Sequence, residues 1–275
     1  MRVRVVHETR YTYDHPVRAL QQILRLTPRD HDGHHVLGWR VEPSIEGRLR
    51  PSEDGYGNIC HTFTSEQAAE TMSLRVVGEI ETQDNAGLVR GAVERLPDVF
   101  YLRDTDLTAP DAAIRAFARD VAPSPGRVPL DTLHALLAAL NREMTFDAKP
   151  TDATTNAAAA FALRRGVCQD LTHIFIAACR YLDLPARYVS GYFLRSDGVV
   201  AQEAGHAWAE VKVPDLGWVG FDPTNGISTT DAHIRIAIGL DYLAASPVRG
   251  SRRGGGRETM DVRLTVEAAQ RQVQS

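Results

Sequence analysis

The first 95 residues alternate between apolar and polar positions with a period of two, which is typical of β-strands. The alternation is clearest over residues 3–13 and 73–82, and turn formers at Asp14-His15-Pro16 end the first of these segments. Shorter apolar runs of strand character lie at 17–26, 36–41 and 59–64. Several short strands separated by turns predict an antiparallel β domain, either a sandwich or a barrel.

From about residue 108 the apolar positions recur at steps of three and four, which is the helical period. Thr108-Ala109-Pro110-Asp111 is a typical helix start, with proline near the first helical position. A segment with proline and glycine at 123–126 separates this helix from a second one, predicted over 130–144. Asn156 is placed to cap a third, short helix over 157–164.

Residues 83–107 contain few periodic features and several turn formers, and we interpret this segment as the crossing between two domains. The predicted domains are a β-rich N-terminal domain, residues 1–95, and a second domain of helices and strands, residues 108–275. Near the end of the chain, residues 249–257 combine arginines with glycines, which predicts a flexible basic loop. Residues 260–266 alternate again and are predicted to form a last strand.

The helical pattern that follows Arg165-Gly166-Val167 begins with a cysteine, Cys168. Its apolar stripe comprises Leu171, Ile174, Phe175, Ala178 and Leu182. A thiol in the first turn of a helix faces unpaired backbone N–H groups and the positive end of the helix dipole, which both favour negative charge. Because the thiolate is the nucleophilic form of cysteine, Cys168 is a candidate nucleophile.

Further along the chain, His206 opens one predicted strand and Asp222 closes the next, with a hairpin turn at 214–217 between them. Pairing of the two strands brings their outer ends together, and with them the two side chains. An imidazole can take the proton of the Cys168 thiol, and a carboxylate can fix the imidazole tautomer and stabilise its charge. The backbone N–H of Cys168 is a natural donor to the oxyanion of an attacked carbonyl.

Each member of this Cys-His-Asp set also has a structural interpretation. A cysteine at a helix start is more often inert than catalytic, and a histidine that begins a strand is more often satisfied by backbone groups. Aspartate before proline is a common turn element. Spacing alone therefore leaves open both a catalytic triad and three structural residues.

The composition is that of an ordinary globular protein, with 43% hydrophobic and 24% charged residues among 275. A formal net charge of −4 does not favour nucleic acid as a partner. No apolar run approaches the roughly 20 residues that a membrane span needs, and the chain opens with an alternating pattern in place of an apolar signal segment. We therefore expect a soluble, cytoplasmic protein without a membrane partner.

The cysteines do not predict a disulfide framework, because they are few and odd in number: Cys60, Cys168 and Cys179. Cys179 lies among apolar neighbours and is predicted to be a core thiol. Three histidines cluster in one short segment: His31, His34 and His35. No second set of ligands with fixed spacing accompanies them, so we interpret the segment as a solvated loop and predict no metal site.

Four blocks of the second domain follow one another in a distinctive order: Arg165-Gly-Val-Cys-Gln-Asp-Leu-Thr-His173, Pro185-Ala-Arg-Tyr-Val-Ser-Gly-Tyr192, His206-Ala-Trp-Ala-Glu-Val211 and Gly217-Trp-Val-Gly-Phe-Asp-Pro-Thr-Asn225. These blocks resemble the bacterial transglutaminase-like superfamily. The front of the chain resembles the β-rich N-terminal domain of the same proteins, in Thr9–Tyr13, Leu24–Arg29 and Asp54–Asn58. The end of the chain resembles the tail of their core, in Asp241-Tyr242 and Pro247–Gly250.

The resemblance implies an α+β fold, with an N-terminal antiparallel β domain and a papain-like transglutaminase core. It also implies that Cys168, His206 and Asp222 form the catalytic triad of a transglutaminase-like cysteine peptidase, amidase or acyltransferase. Such an enzyme attacks peptide or glutaminyl amides and passes through a thioester intermediate. We expect hydrolysis to be favoured over transamidation, with a peptide or protein as substrate.

Two alternatives stay open, because the superfamily includes transglutaminases, amide hydrolases, peptidases and inactive relatives. One is a true transglutaminase that cross-links proteins, and the other is a non-catalytic interaction module that keeps the fold. Animal transglutaminases use calcium, but this sequence shows no acidic loop with the required number of ligands, and we expect no cofactor.

Four residues near the triad positions are predicted to support the site. Asp170 and His173 recur in the cysteine block of the family, and His173 lies about 140° around the helix from Cys168, so we favour a structural or supporting role for both. Gln169 is a candidate lining residue and hydrogen-bond donor. Trp208 is better explained by packing within the sheet than by a role as a substrate platform.

Overall fold

The computed structural model describes residues 1–122 and 129–269, so the predicted break at 123–126 lies outside the described residues. The first part of the chain forms strands and a short 3-10 helix at Asp98–Leu102. The strands are β1 (Arg2–Thr27), β2 (His34–Pro43), β3 (Arg48–Glu53), β4 (Ile59–Ser65), β5 (Ala69–Thr82) and β6 (Leu88–Val89).

The rest of the chain mixes helices with strands, which confirms the α+β class. The helices are α1 (Ala112–Val121), α2 (Pro129–Glu143), α3 (Ala157–Leu163), α4 (Cys168–Tyr181) and α5 (Tyr242–Ala245). The strands are β7 (Thr145–Phe146), β8 (Arg165–Gly166), β9 (Ala186–Phe193), β10 (Ala201–Gln202), β11 (His206–Val213), β12 (Gly217–Asp222), β13 (Ile227–Ser228), β14 (His233–Gly239), β15 (Val248–Gly254) and β16 (Glu258–Ala268). Within the described ranges, no helix is both long enough and apolar enough to cross a membrane.

Strand β1 is 26 residues long and organises the front sheet. Its first half pairs with β5 and β16, and its second half pairs with β4 and β15. The predicted turn at Asp14–Pro16 is wrong, because the strand continues through a bulge where the register with β5 shifts between Thr12 and Val17. Up to Tyr13 the odd-numbered residues of β1 are buried, and from Leu20 onwards the even-numbered residues are buried. The bulge therefore turns the opposite face of the strand towards the core.

The C-terminal strands return to the front sheet, where β16 pairs with residues 3–13 of β1 and β15 pairs with residues 17–24. The predicted flexible loop is therefore wrong for residues 249–254, whereas the predicted last strand is confirmed within β16. The arginine side chains of β15 are exposed, whereas its backbone pairs with β1. The segment is therefore a strand, although its amino-acid composition is typical of a loop. The domain boundaries at 95 and 108 stay a prediction, although both regions share this sheet.

Helix α4 forms the centre of the second region and packs against the sheet ordered β13-β12-β11-β9-β14. Every residue from Asp170 to Arg180 is buried, and α1, α2 and α3 contact this helix. The predicted caps hold two of these surrounding helices. Asp111 Oδ1 accepts the Ile114 N–H of α1, and Asn156 Oδ1 accepts the Ala159 N–H of α3, both at 2.9 Å. Packing on all sides fixes the position of the first turn of α4.

Candidate active site

Cys168 is the first residue of α4, and its neighbours set its position. The Asp170 carboxylate accepts the Val167 N–H at 2.8 Å and the Thr151 hydroxyl at 2.7 Å, which ties the helix start to the preceding loop. A Cβ atom at position 166 would lie 2.6 Å from that carboxylate, so Gly166 is the residue that fits. The glycine four residues before Asp170 therefore has a steric cause.

The hairpin of β11 and β12 brings His206 and Asp222 together, as the strand pattern predicts. Its register pairs Ala209 with Phe221, and His206 Nε2 donates to Asp222 Oδ2 at 2.7 Å. Cys168 and His206 line the same cleft. Because Nε2 bonds to the carboxylate, Nδ1 is the ring nitrogen left for the Cys168 sulfur.

Burial and mutual charge set the pKa values of this pair. Burial lowers the pKa of His206, but the hydrogen bond and charge of Asp222, with a smaller contribution from Cys168, outweigh burial and raise the pKa to about 10. Burial also raises the pKa of Asp222, but His206 and His233 outweigh that effect and hold it well below its usual range. At neutral pH the ring is therefore an imidazolium beside an ionised carboxylate.

Asp222 is fully buried and accepts hydrogen bonds on both oxygens. Oδ1 accepts the backbone N–H groups of Thr224 and Asn225, at 3.0 and 3.2 Å. Oδ2 bonds His206 at 2.7 Å, His233 Nε2 at 3.1 Å and the side-chain amide of Asn225 at 2.6 Å. A carboxylate with these donors is held both ionised and oriented.

His206, Asp222 and His233 also make up the group of metal-ligating side chains found in the described part of the chain, with ligand atoms within 4.8 Å of one another. Hydrogen bonds explain this grouping. His233 Nδ1 accepts the Thr230 N–H at 3.1 Å, so its Nε2 carries the proton and donates to Asp222. Metal ligation through Nε2 would need the opposite tautomer, and we therefore assign the group to hydrogen bonding.

Two residues of this network, His233 and Asn225, were not predicted from the sequence. Asn225 ends the last of the four sequence blocks, three residues after Asp222, which is close enough for a bond within one turn. His233 lies 11 residues beyond Asp222 and reaches the carboxylate through the pairing of β14 with β9. No local sequence pattern marks that second contact.

The cleft beside Cys168 has a volume of about 830 Å³, and both regions of the chain line it. The core contributes Cys168, Gln169, His206 and parts of the loop 195–205. The front sheet contributes side chains from β1, β15 and β16: His7, Thr9, Tyr11, Val248, Met260 and Val262. The front sheet thus shapes the space beside the cysteine, although Cys168, His206 and Asp222 all belong to the core.

The four supporting residues predicted from the sequence occupy different places. Gln169 lines the cleft, and its Nε2 is buried without a hydrogen-bond partner among the described residues. Asp170 lies beneath the first turn of α4, where burial raises its pKa although the Val167 and Thr151 bonds oppose this. His173 is fully buried and Trp208 is buried in the sheet. Of these four, only Gln169 lines the cleft.

The interpretation of the histidine segment as a solvated loop is wrong for His34. This ring is 2% exposed, and its Nε2 accepts the Arg235 backbone N–H at 3.2 Å, which joins the front sheet to β14. His31 stacks on it with ring centroids 4.6 Å apart. Burial lowers the pKa of His34 to about 3 and that of His31 to about 4, so both rings are neutral at pH 7.

The three cysteines are free thiols in different surroundings. Burial raises the pKa of Cys60 to about 11 and raises that of Cys179 further, and the prediction of Cys179 as a core thiol is confirmed. Cys168 is partly exposed. It is therefore the cysteine that a substrate can reach.

Two family models match this chain in succession. The bacterial transglutaminase-like N-terminal region matches residues 3–81, and the core of the transglutaminase-like superfamily matches residues 115–223. The second match includes Cys168, His206 and Asp222. Residues 115–223 are thus similar to a transglutaminase-like core and residues 3–81 to the N-terminal region of bacterial transglutaminase-like proteins, which confirms the resemblance.

Similarity to individual proteins extends over most of the chain. An uncharacterised protein of Mycobacterium leprae is 29% identical over 281 residues, which span 96% of this chain and 98% of that protein. A protein-glutamine gamma-glutamyltransferase of Pseudomonas aeruginosa is 31% identical over 122 residues, or 39% of this chain and 18% of that protein. The crystal structure of a Cytophaga hutchinsonii protein, described as a candidate cysteine protease, has the same fold. Its TM-score is 0.78 at 18% identity, over 98% of this chain and 91% of that one.

Proposed function

We propose that this protein is a cysteine-dependent enzyme that hydrolyses peptide or glutaminyl amides through a thioester intermediate. The observation that carries the proposal is the meeting of Cys168 and His206 in one cleft, with Asp222 bonded to the imidazole at 2.7 Å. A charged imidazole beside a sulfur stabilises the thiolate, which is the attacking form. The match of residues 115–223 to the transglutaminase-like core makes an acyl-transfer reaction the expected chemistry.

In the first half of the reaction, the Cys168 thiolate attacks the amide carbon and a C–S bond forms. The carbonyl oxygen becomes an oxyanion, and the backbone N–H of Cys168 at the open end of α4 is a donor to it. Gln169 is a candidate for the second donor, because the residue lines the cleft and its Nε2 has no hydrogen-bond partner among the described residues. The His206 imidazolium gives its proton to the leaving nitrogen, the C–N bond breaks, and a thioester remains.

In the second half, neutral His206 takes a proton from water while the water oxygen attacks the thioester carbon. The C–S bond breaks, the acid leaves, and the thiolate and imidazolium form again. We favour water as the acceptor because Cys168 is partly exposed and the cleft rim carries exposed charged side chains, among them Asp197 and Glu203. Solvent can therefore reach the thioester, whereas an acyl transfer to an amine needs water to be excluded.

Transamidation is the second candidate, because the Pseudomonas aeruginosa relative is named as a protein-glutamine gamma-glutamyltransferase. Incubation with a glutamine-containing peptide and a tagged primary amine, followed by mass spectrometry of the products, distinguishes the two reactions. Hydrolysis is expected to give the free acid, and a tagged peptide would show transfer. Cys168→Ala should give neither product, and a product that persists in this variant would overturn the proposal.

The thiol chemistry can also be tested without a substrate. At mildly acidic pH, iodoacetamide is expected to modify Cys168 ahead of Cys60 and Cys179, and His206→Ala should remove that preference. Cys60→Ala is a matched control that should label like the unchanged protein. Slow labelling with the pH profile of an ordinary thiol would support the non-catalytic interaction module instead.

A further inference from the structure

Donors from two sides hold the Asp222 carboxylate. His206 and Asn225 approach it from the cleft, which both residues line. His233 does not line the cleft and belongs to a separate, smaller cavity. The two imidazoles bond the same oxygen, with their ring planes inclined at 46° and their centroids 6.1 Å apart. His233 therefore supports the carboxylate from a side that a substrate in the cleft does not reach.

The tautomer of His233 is fixed by its own surroundings. The Thr230 N–H donates to Nδ1 at 3.1 Å, which leaves the ring proton on Nε2, where it points to Asp222. Burial lowers the pKa of His233, and the charge of His206 adds to this, while Asp222 opposes it without restoring the usual value. The ring is thus a neutral donor at neutral pH.

The orientation of the His233 ring is fixed as well. The side chain is 2% exposed, and it lies between Phe193, at a centroid distance of 4.7 Å, and Trp208, which meets it edge-on at 5.2 Å and 77°. The backbone pairing of His233 with Phe193 holds the start of β14 in place. A ring packed in this way presents its N–H in one direction.

We propose that His233 is a positioning residue, which holds Oδ2 of Asp222 in the orientation that supports His206. Because the His233 ring is neutral, it adds a hydrogen bond without competing with the His206 imidazolium for the carboxylate charge. The catalytic consequence of this inference rests on the proposed function. A histidine that only filled space would share the burial of His233, but its replacement would not change the chemistry of Cys168.

Three variants of the full chain test the inference. His233→Leu removes the donor, and His233→Gln keeps an amide N–H at a similar distance from the backbone. His34→Leu is the matched control, because His34 is also a buried neutral ring that anchors β14, yet it bonds Arg235 and not Asp222. Misplacement of a supporting group lowers turnover by up to about a hundredfold.

We expect His233→Leu to lower kcat by about 10- to 100-fold with KM unchanged, since the residue lies outside the cleft. His233→Gln should recover most of the loss, and His34→Leu should retain the kcat of the unchanged protein. The inference is overturned if His233→Leu keeps full kcat, or if the Gln variant is no better than the Leu variant.

Alkylation of Cys168 by iodoacetamide separates this inference from the proposed function, because it needs no turnover. In His233→Leu the pH profile should move to higher pH, whereas in His233→Gln and His34→Leu it should not. If the protein shows these shifts but has no amidase activity, the proposed function is wrong and the inference about His233 stands. An unmoved profile in His233→Leu would overturn the inference alone.

A measurement on the unchanged protein covers the case in which His233→Leu does not fold. Histidine ¹⁵N spectra at pH 7, assigned by comparison with His233→Gln, should show His233 as a neutral ring with its proton on Nε2. A proton on Nδ1 alone would remove the donor from Asp222, and a charged ring would compete with the His206 imidazolium for the carboxylate charge. Either result would overturn the inference.

Discussion

Two carboxylates with no exposed surface, Asp222 and Glu210, lie on neighbouring strands of one sheet and differ in their partners. Glu210 bonds two arginines, Arg187 and Arg235, each at 2.7 Å. Asp222 bonds imidazoles, of which His206 is the closest. A guanidinium stays charged throughout the physiological pH range, whereas an imidazole can gain and lose a proton there. At equal burial, the arginine partners give Glu210 a fixed structural charge, whereas the imidazole partners of Asp222 suit the proton transfer that the proposed function requires.

The Glu210 network shows what a purely structural version of such a site contains. Arg187 is completely buried, bonds Glu94 of the crossing segment at 2.7 Å, and stacks over the Trp218 ring at 3.9 Å. Burial raises the pKa of Glu210, but Arg235 and Arg187 outweigh it and lower the pKa to about 2. A buried charge with a shifted pKa is thus not in itself evidence of catalysis, and the type of partner decides its role.

The comparison predicts its largest effect at Asp222. In Asp222→Asn the amide cannot stabilise an imidazolium and favours the wrong tautomer of His206, so we expect kcat to fall by about 10⁴-fold. The measurement is turnover of a glutamine-containing peptide, with Cys168→Ala as the background. A loss smaller than tenfold would mean that the two carboxylates do not differ in function.

Glu210→Ala should lower the stability of the protein and leave its turnover nearly unchanged. The substitution leaves the buried charge of Arg235 without its carboxylate and leaves Arg187 with Glu94 alone. Breaking a buried ion pair in this way lowers the free energy of unfolding by about 3–5 kcal/mol. Urea unfolding measures this loss, and kcat per folded molecule should stay within a few-fold of the unchanged protein. A stable Glu210→Ala protein without turnover would place this carboxylate in the reaction as well.

The part of the site that could be predicted from the sequence is the part that short segments determine. Asp170 and Gly166 fix the first turn of α4 within a few residues of Cys168, and one hairpin turn brings His206 to Asp222. These contacts join residues that are close together in the sequence, and they therefore correspond to patterns that the sequence shows.

The rest depends on strand pairing between distant segments, which no local pattern reveals. β15 reads as a loop by composition, and it becomes a strand because Val17 at the start of the chain pairs with Gly254 near its end. His233 reaches Asp222 because β14 pairs with β9 on the far edge of the core sheet. The bulge in β1 was missed for a related reason, since a turn and a bulge use the same residues and only the partner strand distinguishes them.

Neutral buried histidines extend the comparison to acid stability. Burial lowers the pKa of His7 to about 4 and those of His34 and His173 to about 3. The unfolded chain takes up a proton at each ring near pH 6.5 and the folded chain does not. The free energy of unfolding should therefore fall as the pH falls from about 6.5 towards 4, by up to about 1.4 kcal/mol per pH unit for each ring. Urea unfolding over this range measures the slope of the free energy of unfolding against pH. His34→Gln should reduce that slope by the contribution of one ring, up to about 1.4 kcal/mol per pH unit.

His206 should produce a smaller slope than those three rings together, because it is a single ring, and its contribution has the opposite sign. Its pKa is raised to about 10 in the folded chain, so its stabilising contribution is complete below about pH 6.5 and is lost as the pH rises through 10. The free energy of unfolding should fall over that alkaline range by up to about 1.4 kcal/mol per pH unit. The difference between His206→Gln and the unchanged protein measures this contribution. His206→Gln should flatten the alkaline limb alone and His34→Gln the acid limb alone. An alkaline limb that His206→Gln leaves unchanged would show that the ring is uncharged at neutral pH, and Asp222 would then be no more than a second structural carboxylate beside Glu210.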